Sequence, residues 1–242
     1  PARTPEFRPK NGLHCMTSRT VVVTGAFGVL GAAVASAFAA AGDRVVRVDY
    51  ADAGGDPLPG GIDRGRIDLT DERAARRVAA DIAAAAGSID VLVNVAGGFV
   101  WETLADGGSA TWNRMFAMNA TTCVNMTRAA LPALRQAAGA RIVNIGAGGA
   151  VIAAAGMGGY AASKMAVHKL TESLAAELSG EDVTVNAILP AIIDTPTNRK
   201  DMPDADFSQW VQPQAIADVI LFLASPAARG ISGALIPVTR GG

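Results

Sequence analysis

The chain has 242 residues and a formal net charge of −1; half of its residues are hydrophobic and 18% are charged. That length suits one α/β domain with a sizeable core, and the composition excludes a disordered chain. Near-neutral charge without a basic stripe excludes nucleic acid as a partner, while Cys15, Cys123, His14 and His168 form neither a disulfide framework nor a metal-ligand set.

Residues 1–15 are polar, contain proline and lack both periodicity and an apolar leader core. They are expected to be an extension outside the fold, with Met16 as a natural start and residues 16–242 as a single domain. The Ala- and Gly-rich stretches from Ala26 and from Ile142 read as buried packing segments, so no membrane is expected. With so few cysteines, a reducing cytoplasmic location is expected.

From Thr20 onward, short apolar runs alternate with longer helical stretches. Strands are expected at Val21–Val23 and Val45–Val48, with a helix from Val29 to Ala41 between them. A Gly/Pro turn region, 54–61, precedes a short strand at Arg66–Ile67. A helix follows over Asp71–Ala86, with Thr70 placed to cap it. Ile89–Val93 is the next strand, and Ser109–Ala138 reads as one long helix despite Pro132. Arg141–Ile145 is a strand, Tyr160–Leu178 a helix and Val183–Leu189 a strand. An irregular polar segment, Pro190–Gln212, leads to a helix over Pro213–Ala224 and a last strand over Ala234–Val238. The strands are rich in Val and Ile without alternation, as in a parallel sheet covered on both faces. The fold class is therefore α/β: a single-domain, Rossmann-type doubly wound parallel sheet with helices on both faces.

Thr24-Gly25-Ala26-Phe27-Gly28-Val29-Leu30-Gly31 joins the first strand to the first helix. Glycines at that junction permit a tight turn and close approach of backbone to a pyrophosphate, which the helix N-terminus then attracts. Phe27 and Leu30 would line this turn. Glycines serve plain strand-to-helix packing as well, so the turn alone decides nothing. Asp49 adds to it, ending the second strand where a carboxylate accepts from adenosine ribose hydroxyls and repels a 2′-phosphate. NAD(H) is expected over NADP(H).

Tyr160 and Lys164 stand one helical turn apart and share a face. A tyrosine is a poor acid–base group at neutral pH, and a neighbouring ammonium is expected to favour its phenolate. Taken with the glycine turn, Asp49, Asn94-Val95-Ala96-Gly97 and Asn119, the pair resembles the short-chain dehydrogenase/reductase family from about Thr20 to the C-terminus. That resemblance implies catalytic roles for Tyr160, Lys164 and Asn119, the last through a proton-relay water. It implies cofactor contacts from Ala96 and Gly97, from Asp68 and Leu69 beside the adenine, and from Pro190, Ile193 and Thr195 near the nicotinamide. It also implies a homodimer or homotetramer paired through the long helices, and a small-molecule substrate.

Two departures stand out. The middle glycine is Gly28, with Val29 where the commoner pattern has its glycine, and Ala147 occupies the position of the usual catalytic serine. Both resemble the dihydropteridine reductase branch, as does the run from Asp194 through Thr195, Arg199, Lys200 and Phe207 to Trp210. This implies NADH reduction of a quinonoid dihydropterin, with Phe99, Trp101 or Trp210 as stacking surfaces and Arg199 or Lys200 meeting an anionic group. Asn119 follows the general family instead. An alcohol dehydrogenase or carbonyl reductase therefore stands as the alternative, and a non-catalytic nucleotide sensor as a third.

Overall fold

The chain is described from a computed structural model covering residues 18–52 and 57–240. The expected extension, Met16 and the start of the Gly/Pro turn region lie outside the described residues. Seven strands form: β1 (Thr20–Thr24), β2 (Arg44–Val48), β3 (Ile62–Arg64), β4 (Val91–Asn94), β5 (Ala140–Ile145), β6 (Val183–Pro190) and β7 (Leu235–Val238). They make one all-parallel sheet in the order β3-β2-β1-β4-β5-β6-β7. Between them run α1 (Val29–Ala40), α2 (Glu72–Ala86), α3 (Ser109–Met115), α4 (Thr122–Leu134), α5 (Gly158–Glu177), α6 (Pro196–Asp201) and α7 (Pro213–Leu223).

The mostly apolar runs of the strands have a simple cause. Val21 and Val23 point into a core with Phe38 of α1 and Ile216 and Ile220 of α7. Val22, between them, points into the opposite core with Ile82, Met126 and Leu174 of α2, α4 and α5. Both faces are buried, so both sets of alternating positions must be apolar. Strand order reverses between β1 and β4, which opens a crevice at their carboxyl ends where such sheets take ligands.

Four expectations need correction. The strand expected at Arg66–Ile67 is instead β3, paired to β2 through Val46 and Ile62. Arg66 has a φ of 58° and is the one non-glycine residue with left-handed backbone among those described, so it cannot continue an extended run. α2 is capped by Asp71, which accepts from the Arg73 N–H at 2.8 Å; Thr70 turns back to Asp68. The long helix over Ser109–Ala138 breaks into α3, a π-helical turn at Phe116–Thr121, and α4, which ends at Leu134. The segment 190–212 is partly ordered into α6 and a single turn at Phe207–Gln209, and a bridge between Ile193 and Val211 closes it. Among the described residues no helix is long and apolar enough to cross a membrane.

A buried polar network crosses the sheet behind the crevice. Asn94 donates to Thr127 Oγ1 and Asn144 Oδ1, both at 2.9 Å, and Asn144 donates to Thr171 Oγ1 at 2.9 Å. It ties β4 and β5 to α4 and α5. Asn144→Ala leaves buried groups without their partners and should cost about 2 kcal/mol. The check is urea unfolding, read as a lowered midpoint with unchanged m-value.

Candidate active site

The first turn is built by close backbone approach. Gly25 has a φ of 61°, and a Cβ on it would lie 2.8 Å from the Ala96 backbone. A Cβ on Gly31 would overlap the Gly25 carbonyl, whereas the Cβ side of Gly28 meets nothing nearer than that carbonyl oxygen at 3.5 Å. Two glycines thus close the turn and the third leaves an open face. Thr24 Oγ1 accepts from the N–H groups of Val95 and Ala96, each at 3.1 Å, and locks this turn to the loop after β4. No side-chain hydrogen bond caps α1. Its first-turn N–H groups, those of Leu30 and Gly31 among them, therefore remain for an anion. These features fit a dinucleotide pyrophosphate.

Asp49 stands beside this turn, accepting from the N–H of Phe27 at 2.8 Å and of Ala51 at 2.9 Å. Its remaining lone pairs are available to a ribose diol. Arg47 is buried in a bidentate pair with Asp63, at 2.7 Å for both bonds, and its guanidinium lies 5.3 Å from the Phe27 ring centroid. That arginine is committed and not free to hold a 2′-phosphate. Asp68 and Leu69 share this end of the sheet, since the Ile67 N–H donates to the Asp49 carbonyl. Leu69 is buried, and the Asp68 carboxylate accepts from the N–H and hydroxyl of Thr70.

At the other end of the crevice, α5 carries Tyr160 and Lys164, and the π-helical turn carries Asn119. The extra residue of a π turn shifts the helical ladder, a feature common at functional sites. Here Asn119 accepts from the Gly98 N–H at 2.9 Å and donates to the Gly98 carbonyl and to Ser163 Oγ, each at 3.0 Å. Ser163 in turn donates to the Tyr160 carbonyl at 2.7 Å. Gly97 lies between these residues, for a Cβ on it would stand 2.5 Å from Asn119 Oδ1 and 3.3 Å from Lys164 Nζ.

Lys164 is buried and donates to the Ile145 carbonyl at 2.8 Å. Burial pulls its ammonium down to about 8. Burial also pushes the Tyr160 phenol up to about 12, so the expectation of a phenolate favoured by Lys164 is corrected: desolvation wins. The phenol is held in its proton-donating form. Its ring meets Phe99 edge-on, with centroids 4.9 Å apart at 88°, and packs against Ala147, Ala150 and Ala161. The N–H of Ala147 donates to Nε2 of the buried His168 at 3.2 Å, and a Cβ on Gly146 would overlap that imidazole.

Pro190 ends β6, its carbonyl oxygen 3.4 Å from where a Cβ on Gly148 would stand. Beyond it Ile193 bridges Val211, and Thr195 Oγ1 caps α6 by accepting from the Asn198 N–H at 3.1 Å. Arg199 grips Asp194 with bonds of 2.6 and 2.7 Å and lies 4.7 Å from the Phe207 centroid. The Arg199 guanidinium holds Asp194 down at about 2, with help from Gln212. Two expectations are thereby corrected. Arg199 is spent inside its own segment and not offered to an anionic substrate, and Trp210 is buried against Phe207 at 4.7 Å and not a stacking surface. Ser163, His168 and Thr24 are site supports that the sequence did not reveal. Their side chains matter through partners distant in the chain.

Residues 19–206 match the family described as short chain dehydrogenase. A galactitol 2-dehydrogenase (L-tagatose-forming) of Cereibacter sphaeroides is 35% identical, over 90% of this chain and 92% of its own. A D-threitol dehydrogenase of Mycolicibacterium smegmatis is 33% identical and a meso-2,3-butanediol dehydrogenase of Serratia marcescens 31% identical, each over 93% of this chain. They are covered over 93% and 94% of their own lengths. The ligand-free aldohexose dehydrogenase of Thermoplasma acidophilum superposes with a TM-score of 0.83 at 29% identity, over 91% of this chain and 92% of its own.

The depressed Lys164 gives a stability prediction of definite sign. Between about 8 and its ordinary value of 10.5 the folded lysine holds fewer protons than the unfolded one. Stability should therefore rise with pH across that window. Denaturant melts between pH 7.5 and 9.5 should show wild type gaining on Lys164→Met; a constant difference between the two would contradict the burial argument.

Proposed function

Because the chain belongs to the short-chain dehydrogenase family, we propose that it is an NAD(H)-dependent dehydrogenase or carbonyl reductase that interconverts an alcohol and its ketone. The observation that carries this reading is the joint placement of Tyr160, a buried Lys164 and an anchored Asn119 at the far end of the crevice from an open glycine turn. The names of the relatives, dehydrogenases of galactitol, threitol and 2,3-butanediol, support the same reaction class.

The nicotinamide supplies hydride to the carbonyl carbon in reduction, or accepts it in oxidation. Gly25, Gly28 and Gly31, with the first-turn N–H groups of α1, would hold the pyrophosphate. Asp49 would bind the adenosine ribose, with Phe27, Leu30, Asp68 and Leu69 around the adenosine. Ala96 and Gly97 would border the crevice floor, and Pro190, Ile193 and Thr195 would position the carboxamide. Lys164 would hold the second ribose. Tyr160 would give its phenolic proton to the carbonyl oxygen in reduction and recover one in oxidation. Asn119 and Ser163 fix the helix turn from which Tyr160 projects. The working form would be a homodimer or homotetramer, as the family resemblance implies.

A second reading rests on Ala147. Without a serine donor, reduction of a quinonoid dihydropterin asks less of the site than reduction of a ketone, because the electron-poor ring takes hydride more readily. It loses two supports, since Trp210 is buried and Arg199 is paired within its own segment.

The test is NADH oxidation with a panel of ketones beside quinonoid dihydropterin, in wild type and Tyr160→Phe. Ketone turnover falling by about 10²–10⁴-fold in the variant, with NADH affinity retained, is expected. Fast dihydropterin reduction without ketone turnover would transfer the assignment to the second reading. Unchanged turnover in Tyr160→Phe would remove the acid role. For the cofactor, Asp49→Ser should narrow the NADH-over-NADPH preference by about tenfold, a loss of order 1.4 kcal/mol in discrimination. Competing coenzyme titrations followed by fluorescence provide the check.

A further inference from the structure

The Tyr160 ring packs against Phe99 and three alanines, and the polar side chains of Asn119, Ser163 and Lys164 on the neighbouring turns are already hydrogen-bonded. Phe99 stands edge-on to Tyr160 and is 51% exposed. Trp101, 60% exposed, donates from its indole N–H to the Ala155 carbonyl at 3.0 Å. Its ring lies on Gly156, where a Cβ would overlap it, and the neighbouring Glu102 N–H donates to the Gly156 carbonyl at 2.9 Å. The loop after β4 is thereby clasped to the loop before α5. Two aromatic rings are held open to solvent on this loop, Phe99 directly against the Tyr160 ring and Trp101 against the loop that leads into α5. Ala150 packs on Tyr160, and Val151 and Ile152, the next two residues, are also exposed.

Against this stand the polar groups. Asn119 is bonded to Gly98 and Ser163, and Ser163 to the Tyr160 carbonyl. Lys164 is bonded to Ile145, the Trp101 N–H to Ala155, and Asp194 to Arg199 and Gln212. Asn198 donates to the Ile193 carbonyl at 2.7 Å. A hydroxyl-rich chain entering here would exchange water for few partners, at a cost of kilocalories per buried hydroxyl. A flat apolar ring would instead cover Phe99 and Trp101 and lose nothing by leaving water.

We propose that the substrate is an uncharged ketone–alcohol pair whose carbonyl carbon belongs to an aromatic-fused or alicyclic ring, seated against Phe99 and Trp101, and not an open-chain polyol. This rests on the dehydrogenase reading and narrows it. In the reducing direction the nicotinamide hydride joins the ring carbonyl carbon, the Tyr160 proton joins its oxygen, and NADH becomes NAD⁺. The clasp keeps the Trp101 face in place before substrate arrives, so little ordering is left to be done on binding.

The experiment compares 1-tetralone with erythrulose, a four-carbon hydroxyketone, as oxidants of NADH in wild type, Trp101→Ala and Phe99→Leu. Phe99→Leu leaves the clasp untouched and stands in should Trp101→Ala fail to fold. The wild-type kcat/KM ratio should favour 1-tetralone by about a hundredfold, and each variant should cut that ratio about tenfold, mainly through KM. A ratio at or below one, or one unmoved by both variants, overturns the proposal while leaving the dehydrogenase reading intact. Should neither ketone turn over, the dehydrogenase reading fails for these substrates, and a binding measurement decides the seat separately. Saturable quenching of tryptophan fluorescence by 1-tetralol in the NADH-bound protein, weakened in the variants, supports an apolar ring seat; no binding overturns it.

Discussion

Burying the Lys164 ammonium is the constraint around which the rest of the site is arranged. A downward shift from 10.5 to about 8 corresponds to roughly 3 kcal/mol against the charged form. The Ile145 carbonyl offsets part of that by accepting one N–H, which requires the end of β5 to stay where it is. β5 is held there by register with β4 and β6 and by the Asn94–Asn144–Thr171 bonds behind it. A Cβ on Gly97 would overlap Asn119 Oδ1 and crowd the ammonium at 3.3 Å, and Cys123 sits nearby as an uncharged thiol, pushed up to about 12 by burial. A single buried cation thus explains a glycine, a strand end and a polar network that otherwise look unrelated.

The same burial divides labour between the two helix neighbours. Desolvation acts on a phenol and an ammonium in opposite senses, raising one and lowering the other, so both move toward their neutral forms. Tyr160 accordingly begins protonated. On the proposed reading the phenol would have to lose its proton before it could serve in oxidation.

Much of the architecture was legible from residue types because doubly buried strands demand mostly apolar runs: Val21–Val23 is wholly so, and Ile142–Ile145 and Val183–Leu189 are interrupted only by the buried Asn144, Thr184 and Asn186. β3 was not, because an edge strand of three residues has one apolar side chain, Ile62, whereas Ile67 nearby attracts the assignment without pairing. The π turn was invisible for a different reason: the apolar pattern runs through Phe116–Thr121 without a break, and only the hydrogen-bond ladder changes. The resemblance pointed to Asn119 but not to its partner Ser163, since a serine on a helix looks like any solvated residue until its partner across the chain is known. Arg199 and Trp210 erred the other way. Their side-chain types suggested ligand contacts, and an intrasegment ion pair and a Phe207 contact had already used them.

Ala147 shows how a missing group can leave structural consequences beyond lost chemistry. With no hydroxyl at that position, the strand end is held by its backbone, the Ala147 N–H donating to His168 Nε2. That bond needs an imidazole with its Nε2 lone pair free, and burial together with the Lys164 charge keeps His168 neutral by lowering its pKa. Gly146 must then be glycine, because the imidazole occupies the space a Cβ would fill. The residue one turn beyond Lys164 on α5 therefore shapes the surface on which the Tyr160 ring rests. A small methyl face at Ala147, joined to Ala150 and Ala161, leaves that surface without a second hydroxyl donor. On the proposed dehydrogenase reading, polarisation of a carbonyl would fall to Tyr160 itself, and suitable substrates would be those whose carbonyl carbon is electrophilic enough for one donor to suffice, or whose apolar body would bind firmly enough to hold it there.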